Sequence, residues 1–124
     1  IRIAAENAKI GLTFARLGIL PGLGSTHLLP RLVGRAKALE LVMTAQVILA
    51  PEAAAIGLVN RVVPSEDLLD EARNIASQLA ESDPEVLAAA KRAISFGEGS
   101  TMAEAMENEQ SASIKLRQKR NPES

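Results

Sequence analysis

The sequence predicts a mixed α/β chain: two short strands at the start, then a mostly helical remainder. Three observations carry this. Apolar residues alternate or cluster over Ile1–Ala4 and Ile10–Phe14, as in extended segments. A Pro21-Gly22-Leu23-Gly24-Ser25-Thr26 loop then breaks the chain and opens a helix. Beyond Pro64, three stretches with apolar residues at helical spacing follow, each opened by a capping signal.

The elements follow in order. Ile1-Arg2-Ile3-Ala4 reads as a strand, Glu6-Asn7-Ala8-Lys9 as a turn, and Ile10-Gly11-Leu12-Thr13-Phe14 as a second strand. Two short strands are marginal alone. The first twenty or so residues therefore read as the edge of a sheet, and Ile1, already inside a strand pattern, predicts a chain cut from something larger. The apolar run Arg16–Leu20 reads as a strand end feeding the glycine loop. Ser25 or Thr26 is expected to cap the next helix through its side-chain oxygen. Exposed N–H groups at such a point can hold a polar ligand or a water; the plain alternative is a strand-to-helix connection.

That helix should present Leu28, Leu29, Leu32 and Val33, be short or bent at Pro30, and end at Gly34. A second helix is expected over Ala36–Met43, with Leu39, Val42 and Met43 buried. Pro51, Glu52 and Gly57 mark the first turn and C′ position of a short helix, and Leu58–Val63 reads as a strand stopped by Pro64. Ser65 is expected to cap a helix burying Leu68, Ala72, Ile75, Ala76 and Leu79. Asp83-Pro84 opens the next, with Leu87, Ala90 and Ile94 on one face. Thr101 and Glu104 form a capping box for the last, whose weak stripe runs Met102, Ala105, Met106, Glu109, Ala112, Ser113, Leu116. Lys115, Arg117, Lys119 and Arg120 make a basic end, read either as a solvated helix terminus favoured by the dipole or as a phosphate contact.

Composition bounds the function. The 124 residues suit one modest domain, with 47% hydrophobic residues to form a core and Phe14 and Phe96 as the only aromatics. A net charge of −1 gives no electrostatic case for nucleic acid or an anionic membrane surface. The absence of cysteine excludes disulfides, thiolate metal sites and a cysteine nucleophile, and fits a reducing compartment. No apolar run is long enough to span a bilayer, and no signal peptide opens the chain. His27, the single histidine, has no nucleophile or second histidine in motif spacing and reads as structural or solvent-exposed. The carboxylates are scattered at caps and i,i+4 positions. The glycine loop is neither a Walker loop nor a dinucleotide fingerprint. By its residues alone, the chain shows no acid–base pair, nucleophile or metal set.

Several segments resemble the crotonase, or enoyl-CoA hydratase/isomerase, superfamily. They are Arg2–Lys9, Leu17-Gly18-Ile19-Leu20-Pro21-Gly22-Leu23-Gly24-Ser25-Thr26, Leu29-Pro30-Arg31-Leu32-Val33-Gly34, Ala38–Leu41 and Ala50–Pro64, collinear over nearly the whole chain. The resemblance implies a crotonase-like α/β fold: residues 1–21 as the end of the ββα spiral's core sheet, and 22–124 as a mostly helical C-terminal region. It implies an acyl-CoA thioester substrate, an enolate-type oxyanion held by two backbone N–H groups, and no cofactor beyond the substrate's own coenzyme A. It also implies a cytoplasmic homo-oligomer, trimeric or hexameric, with neither nucleic acid nor membrane as partner. The family's oxyanion-hole segments and first catalytic glutamate would lie upstream of Ile1, and its last helix beyond the end. No catalytic residue is then expected in this chain, and Phe14, Gly22 and Leu23 are the positions placed beside the substrate. Gly22 matches a family glycine whose N–H lies by the catalytic water. Hydratases carry Pro-Glu about where Thr13-Phe14 stands, and an apolar ring neither gives nor takes a proton. Phe14 is therefore read either as pocket wall or, through strand alternation with Ile10 and Leu12, as core. A non-catalytic helical assembly module is the alternative function.

Overall fold

The computed structural model describes residues 1–120. The last four positions of the expected 22–124 region lie outside the described residues. Two compact units are present, Ile1–Arg73 and the segment from Asn74 on.

The first unit holds four strands of three residues each: β1 (Ile3–Ala5), β2 (Lys9–Gly11), β3 (Val47–Leu49) and β4 (Arg61–Val63). Its helices are α1 (Ser25–Val33), α2 (Arg35–Thr44) and α3 (Ala50–Ala55). Strand β1 pairs in parallel with β4, Ile3 opposite Arg61 and Ala5 opposite Val63. Strand β2 pairs antiparallel with β3, Lys9 opposite Leu49 and Gly11 opposite Val47. A polar clasp fixes the β1–β4 register. The Arg2 N–H donates to Asn60 Oδ1 and the Asn60 N–H donates to the Arg2 carbonyl, both at 2.8 Å, while Arg2 Nε donates to the Leu58 carbonyl at 2.6 Å. The core lies among these pieces: Ala4, Leu41, Ile48, Ala50, Ala53 and Val59, with Leu41 only 1% exposed. The alanines of α3 leave little side-chain bulk between the helix backbone and the strands, so the helix packs close with few large residues. The division expected at residues 21 and 22 runs through this unit, because β3 and β4 pair with β2 and β1.

The second unit is an antiparallel pair, α5 (Pro84–Gly97) and α6 (Met102–Arg120). Helix α4 (Leu68–Ala80) precedes it and carries the boundary between the units. Asp83 caps α5 by accepting the Glu85 N–H at 2.8 Å. The capping box forms: Glu104 Oε2 accepts the Thr101 N–H at 2.8 Å, and the Glu104 N–H donates to Thr101 Oγ1 at 3.3 Å. The basic end ties the hairpin together. Lys119 Nζ donates to Glu85 Oε1 at 2.8 Å and Arg120 Nη2 to Asp83 Oδ2 at 2.6 Å, so two of the four tail cations are engaged by carboxylates. Among the described residues, no helix is long and apolar enough to cross a membrane.

Five expectations are corrected. The second strand stops at Gly11, and Thr13–Leu17 winds into a 3-10 turn closed by Gly18, whose N–H donates to the Ala15 carbonyl. Phe14 and the run before the glycine loop are therefore not strand. The strand read over Leu58–Val63 is only Arg61–Val63; Leu58 and Val59 instead wrap the end of α3, both donating to the Ala53 carbonyl. Strand β3 was not anticipated. Neither Ser25, Thr26 nor Ser65 caps a helix: Gly24 is the N-cap of α1, Ser25 Oγ turns back to Gly22, and Ser65 Oγ donates to Asn7 Oδ1 at 2.8 Å.

The fifth concerns helix faces. Helix α2 buries Ala38 and Leu41 and leaves Leu39 and Met43 exposed. Of the faces expected on α1 and α4, only Leu29 and Ile75 are buried. Helix α5 buries Ala89 rather than Ala90 or Ile94, and α6 turns Ala105, Asn108, Ala112 and Leu116 inward in place of Met102, Met106 and Glu109. In the two-helix unit, small residues occupy the line of contact, because alanine lets backbones approach, and the larger side chains stand on the outer faces.

Candidate functional site

One apolar cleft in the first unit collects all three positions singled out in the sequence. Phe14, Gly22 and Leu23 line a cavity of about 480 Å³ together with Ile10, Leu12, Leu28, Leu29, Leu32, Leu58 and Val59. Each wall has a local cause. The 3-10 turn after β2 carries Phe14, which is half-buried. The turn ends at Gly18, and the Ile19 N–H returns to the Phe14 carbonyl at 3.2 Å. Helix α1 supplies Leu28, Leu29 and Leu32 at i, i+1 and i+4, which share one side of a helix. Leu58 and Val59 arrive from the turn after α3, which Gly57 makes possible at φ 82°.

The mouth of the cleft is the Gly22-Leu23-Gly24 turn. Leu23 and Gly24 are both left-handed, at φ 57° and 79°. The Gly22 carbonyl accepts twice from Ser25, from its N–H at 3.0 Å and from its hydroxyl at 2.7 Å. The Leu28 and His27 N–H groups both return to the Gly24 carbonyl, at 2.9 and 3.0 Å. Among the described residues, the N–H groups of Gly22, Leu23 and Gly24 have no hydrogen-bond partner in the protein, so they stand free at a helix N-terminus.

Two lining residues are polar, and both are engaged within the chain: Arg2 at the Leu58 carbonyl and Ser25 at the Gly22 carbonyl. Among the described residues, no carboxylate or imidazole lines the cleft. His27 lies on α1 outside it, exposed, with Nδ1 2.9 Å from Arg31 Nη1. Arginine can only donate, so Nδ1 is the acceptor. The perturbed groups also lie elsewhere. Hydrogen bonding to Lys37 lowers the Glu40 pKa, the Arg120 guanidinium and then the Glu85 N–H lower that of Asp83, and the Thr101 N–H and hydroxyl lower that of Glu104. Each is explained by a cap or a surface pair, and among the described residues no group of three His, Cys, Asp or Glu is placed to hold a metal. Chemically the cleft can hold a hydrocarbon and present backbone N–H groups at its mouth. It contains no side chain able to move a proton in the range where enzymes work. In the second unit, a groove of about 670 Å³ between α5 and α6 mixes Ala89, Phe96 and Leu116 with Arg92, Lys115 and Lys119. The sequence did not single it out.

With this geometry in view, comparison with known proteins is informative. The short-chain-enoyl-CoA hydratase of Clostridioides difficile is 48% identical over 97 residues, 78% of this chain and 63% of that protein. The crotonyl-CoA hydratase of Syntrophomonas wolfei is 55% identical over 78 residues, 63% of this chain and 30% of that one. The crystal structure of an enoyl-CoA hydratase from Bacillus anthracis superimposes with a TM-score of 0.89 at 42% identity, over 92% of this chain and 44% of its own. The chain thus spans between about a third and two thirds of the length of these relatives. Its α/β, helix-rich architecture is that of the crotonase fold over the shared region. The sequence model of the enoyl-CoA hydratase/isomerase family matches residues 1–123, and the chain belongs to that family.

Proposed function

We propose that this chain supplies the C-terminal portion of an enzyme acting on acyl-CoA thioesters, and that the apolar cleft is part of the wall receiving the acyl group. The observation that carries the reading is the meeting of Phe14, Gly22 and Leu23, from a 3-10 turn and a glycine turn, in one hydrocarbon-lined cleft with free N–H groups at its mouth. Residues 1–21 would close the spiral's core sheet, and residues 22–124 would form the mostly helical region that follows it. The oxyanion donors and the acid–base carboxylate then come from sequence outside this chain. Preorganised donors aimed at developing charge make the largest contribution in such sites. Here the free Gly22 N–H is assigned to the water that adds to or leaves the substrate. With Phe14 where a hydratase carries a glutamate, the two-carboxylate hydration mechanism is disfavoured, and isomerase, hydrolase or decarboxylase chemistry on the same oxyanion-stabilising scaffold stays open. The reading includes no cofactor apart from the substrate's coenzyme A, and a place in the cytoplasm among the enzymes of fatty-acid metabolism.

It also includes self-association into a trimer or hexamer. Leu17, Ile19 and Leu20 stand 55–88% exposed, and exposed apolar surface of this kind marks an interface. The same observation favours the alternative, a helical assembly module without chemistry of its own. The test is binding. The intact enzyme should bind an acyl-CoA more tightly than free coenzyme A, and Phe14→Ala should erase most of that difference while leaving the affinity for free coenzyme A alone. Equal affinity for acyl-CoA and coenzyme A in the unaltered enzyme would leave the assembly reading standing in its place.

A further inference from the structure

We propose that Leu23 determines how bulky an acyl group the cleft accepts, and that Ser25 is the positioning residue that holds it there; the proposal rests on the reading of the cleft as an acyl site. Leu23 combines two unfavourable states. Its backbone is left-handed at φ 57°, a conformation in which a Cβ crowds its own carbonyl, and its side chain is fully exposed, at 105%. Nothing nearby forces either. A Cβ built at Gly22 or at Gly24 would meet no atom within 4 Å, so the turn sits in open space rather than wedged by neighbours. A glycine at position 23 would adopt the same backbone more readily. Local bonds hold the turn: the Ser25 N–H and hydroxyl on the Gly22 carbonyl at 3.0 and 2.7 Å, and the Leu28 and His27 N–H groups on the Gly24 carbonyl at 2.9 and 3.0 Å.

The turn thus sets an apolar side chain at the open mouth of an apolar cleft. Strain confined to a ligand clamp is where sparsely populated backbone is commonly found. Ile10, Leu12, Leu28 and Leu29 share this lining with Leu23, so the side chain suits contact with hydrocarbon. Phe14 stands in the wall and is half-buried, whereas Leu23 lines the same cleft from the glycine turn. A short acyl group relies on such a contact for much of its burial. A longer one reaches the deeper leucines and depends on it less.

The test uses the intact enzyme and two probes, butanoyl-CoA and octanoyl-CoA, whose dissociation constants are measured by calorimetry. Leu23→Gly and Leu23→Ala should both weaken butanoyl-CoA by roughly tenfold relative to octanoyl-CoA, the discrimination a few methylene groups give in an apolar pocket. Leu23→Gly should melt no lower than the unaltered protein. Ser25→Ala should shift the ratio in the same direction by a smaller factor, and Ser25→Thr, which keeps the hydroxyl, should restore it. If both Leu23 variants leave the ratio unchanged while Phe14→Ala alters it, the role of Leu23 is overturned and the cleft reading survives. If none of the variants alters it, the acyl-site reading fails with it. Loss of folding or assembly in both Leu23 variants would make the residue a packing contact and overturn the proposal as well.

Discussion

Replacing Phe14 by glutamate puts a carboxylate where the two-glutamate relatives would place one, and the structure sets the size of the effect. Phe14 is half-buried against one side of an open cleft. Fully burying a phenylalanine is worth about 1.5–3 kcal/mol, so losing a partial burial should cost about 1–2 kcal/mol. In an enzyme of a few hundred residues each kcal/mol lowers the melting temperature by about 2–4 °C, which gives an expected fall of roughly 2–8 °C. A carboxylate sealed in the core would behave differently, because an uncompensated charge out of water costs several kcal/mol beyond the lost packing. The assay is a thermal melt of Phe14→Glu in the intact enzyme, paired with hydration of crotonyl-CoA followed by the loss of the conjugated thioester's absorbance. A positioned general acid or base contributes about 10²–10⁴-fold, so a rise of at least about tenfold is expected even from an imperfectly placed carboxylate. A fall in melting temperature well beyond about 10 °C, with no gain in hydration, would refute the placement of Phe14 in the cleft wall.

Further outcomes follow from single contacts. Gly57→Ala puts a Cβ on a residue at φ 82° and only 3.1 Å from the Leu32 carbonyl; a loss of about 1–3 kcal/mol is expected from the left-handed backbone and the tight contact, read by denaturant unfolding, and an unchanged midpoint would mean that the α3–β4 turn relaxes freely. Leu41→Ala removes the largest fully buried side chain of the first unit and should cost about 3–5 kcal/mol; a loss under about 1 kcal/mol would show that the core among α2, α3 and the strands is loose. Hydrogen bonds from the Thr101 N–H and hydroxyl lower the Glu104 pKa in the folded state. Their contribution is therefore full above the ordinary carboxylate pKa and fades as pH falls through the lowered folded value. Glu104→Gln, which cannot titrate, should flatten that acid-side loss in a stability–pH profile, and a superimposable profile would count against the capping box. Finally, residues 1–124 expressed alone should hydrate crotonyl-CoA at the buffer rate and sediment as more than a monomer at high concentration. Turnover clearly above that rate would place catalytic groups within the chain, and a stable monomer would remove the argument from exposed leucines.

Local chemistry was legible in the sequence, and long-range geometry was not. Asp83-Pro84, the Thr101–Glu104 box and the glycines at 34 and 57 act within a few residues, and all four do in the structure what their residue types predict. Strand β3 escaped because three residues between a helix and Pro51 carry no period of their own; Val47-Ile48-Leu49 becomes a strand only by pairing with β2, some forty residues away. The inward faces of α2 and α5 lie one position from the apolar pattern for a related reason. Hydropathy marks the bulkiest residues, but Ala38 and Ala89 face inward because small side chains permit close contact, and that choice depends on the neighbour. Ser25 was read as a cap because its residue type fits one. Its hydroxyl instead closes the turn onto Gly22, since Gly24 already occupies the N-cap.

Phe14 shows how the site itself was half legible. Alternation from Ile10 through Leu12 would have aligned all three on one sheet face, and the argument for a core position depended on that alignment. The strand ends at Gly11, so alternation does not apply at residue 14. Ile10, Leu12 and Phe14 nevertheless share a surface, because the 3-10 turn folds the chain back along the same cleft that α1 walls from the other side. The positions that meet there were named by resemblance to a family, not by spacing. Their convergence depends on two features that periodicity does not show: a strand that stops early, and a turn closed by Ser25 on the Gly22 carbonyl. Without the family pattern, the residues that carry a signal there are Leu17, Ile19 and Leu20, which crowd a loop with no core of its own to bury them.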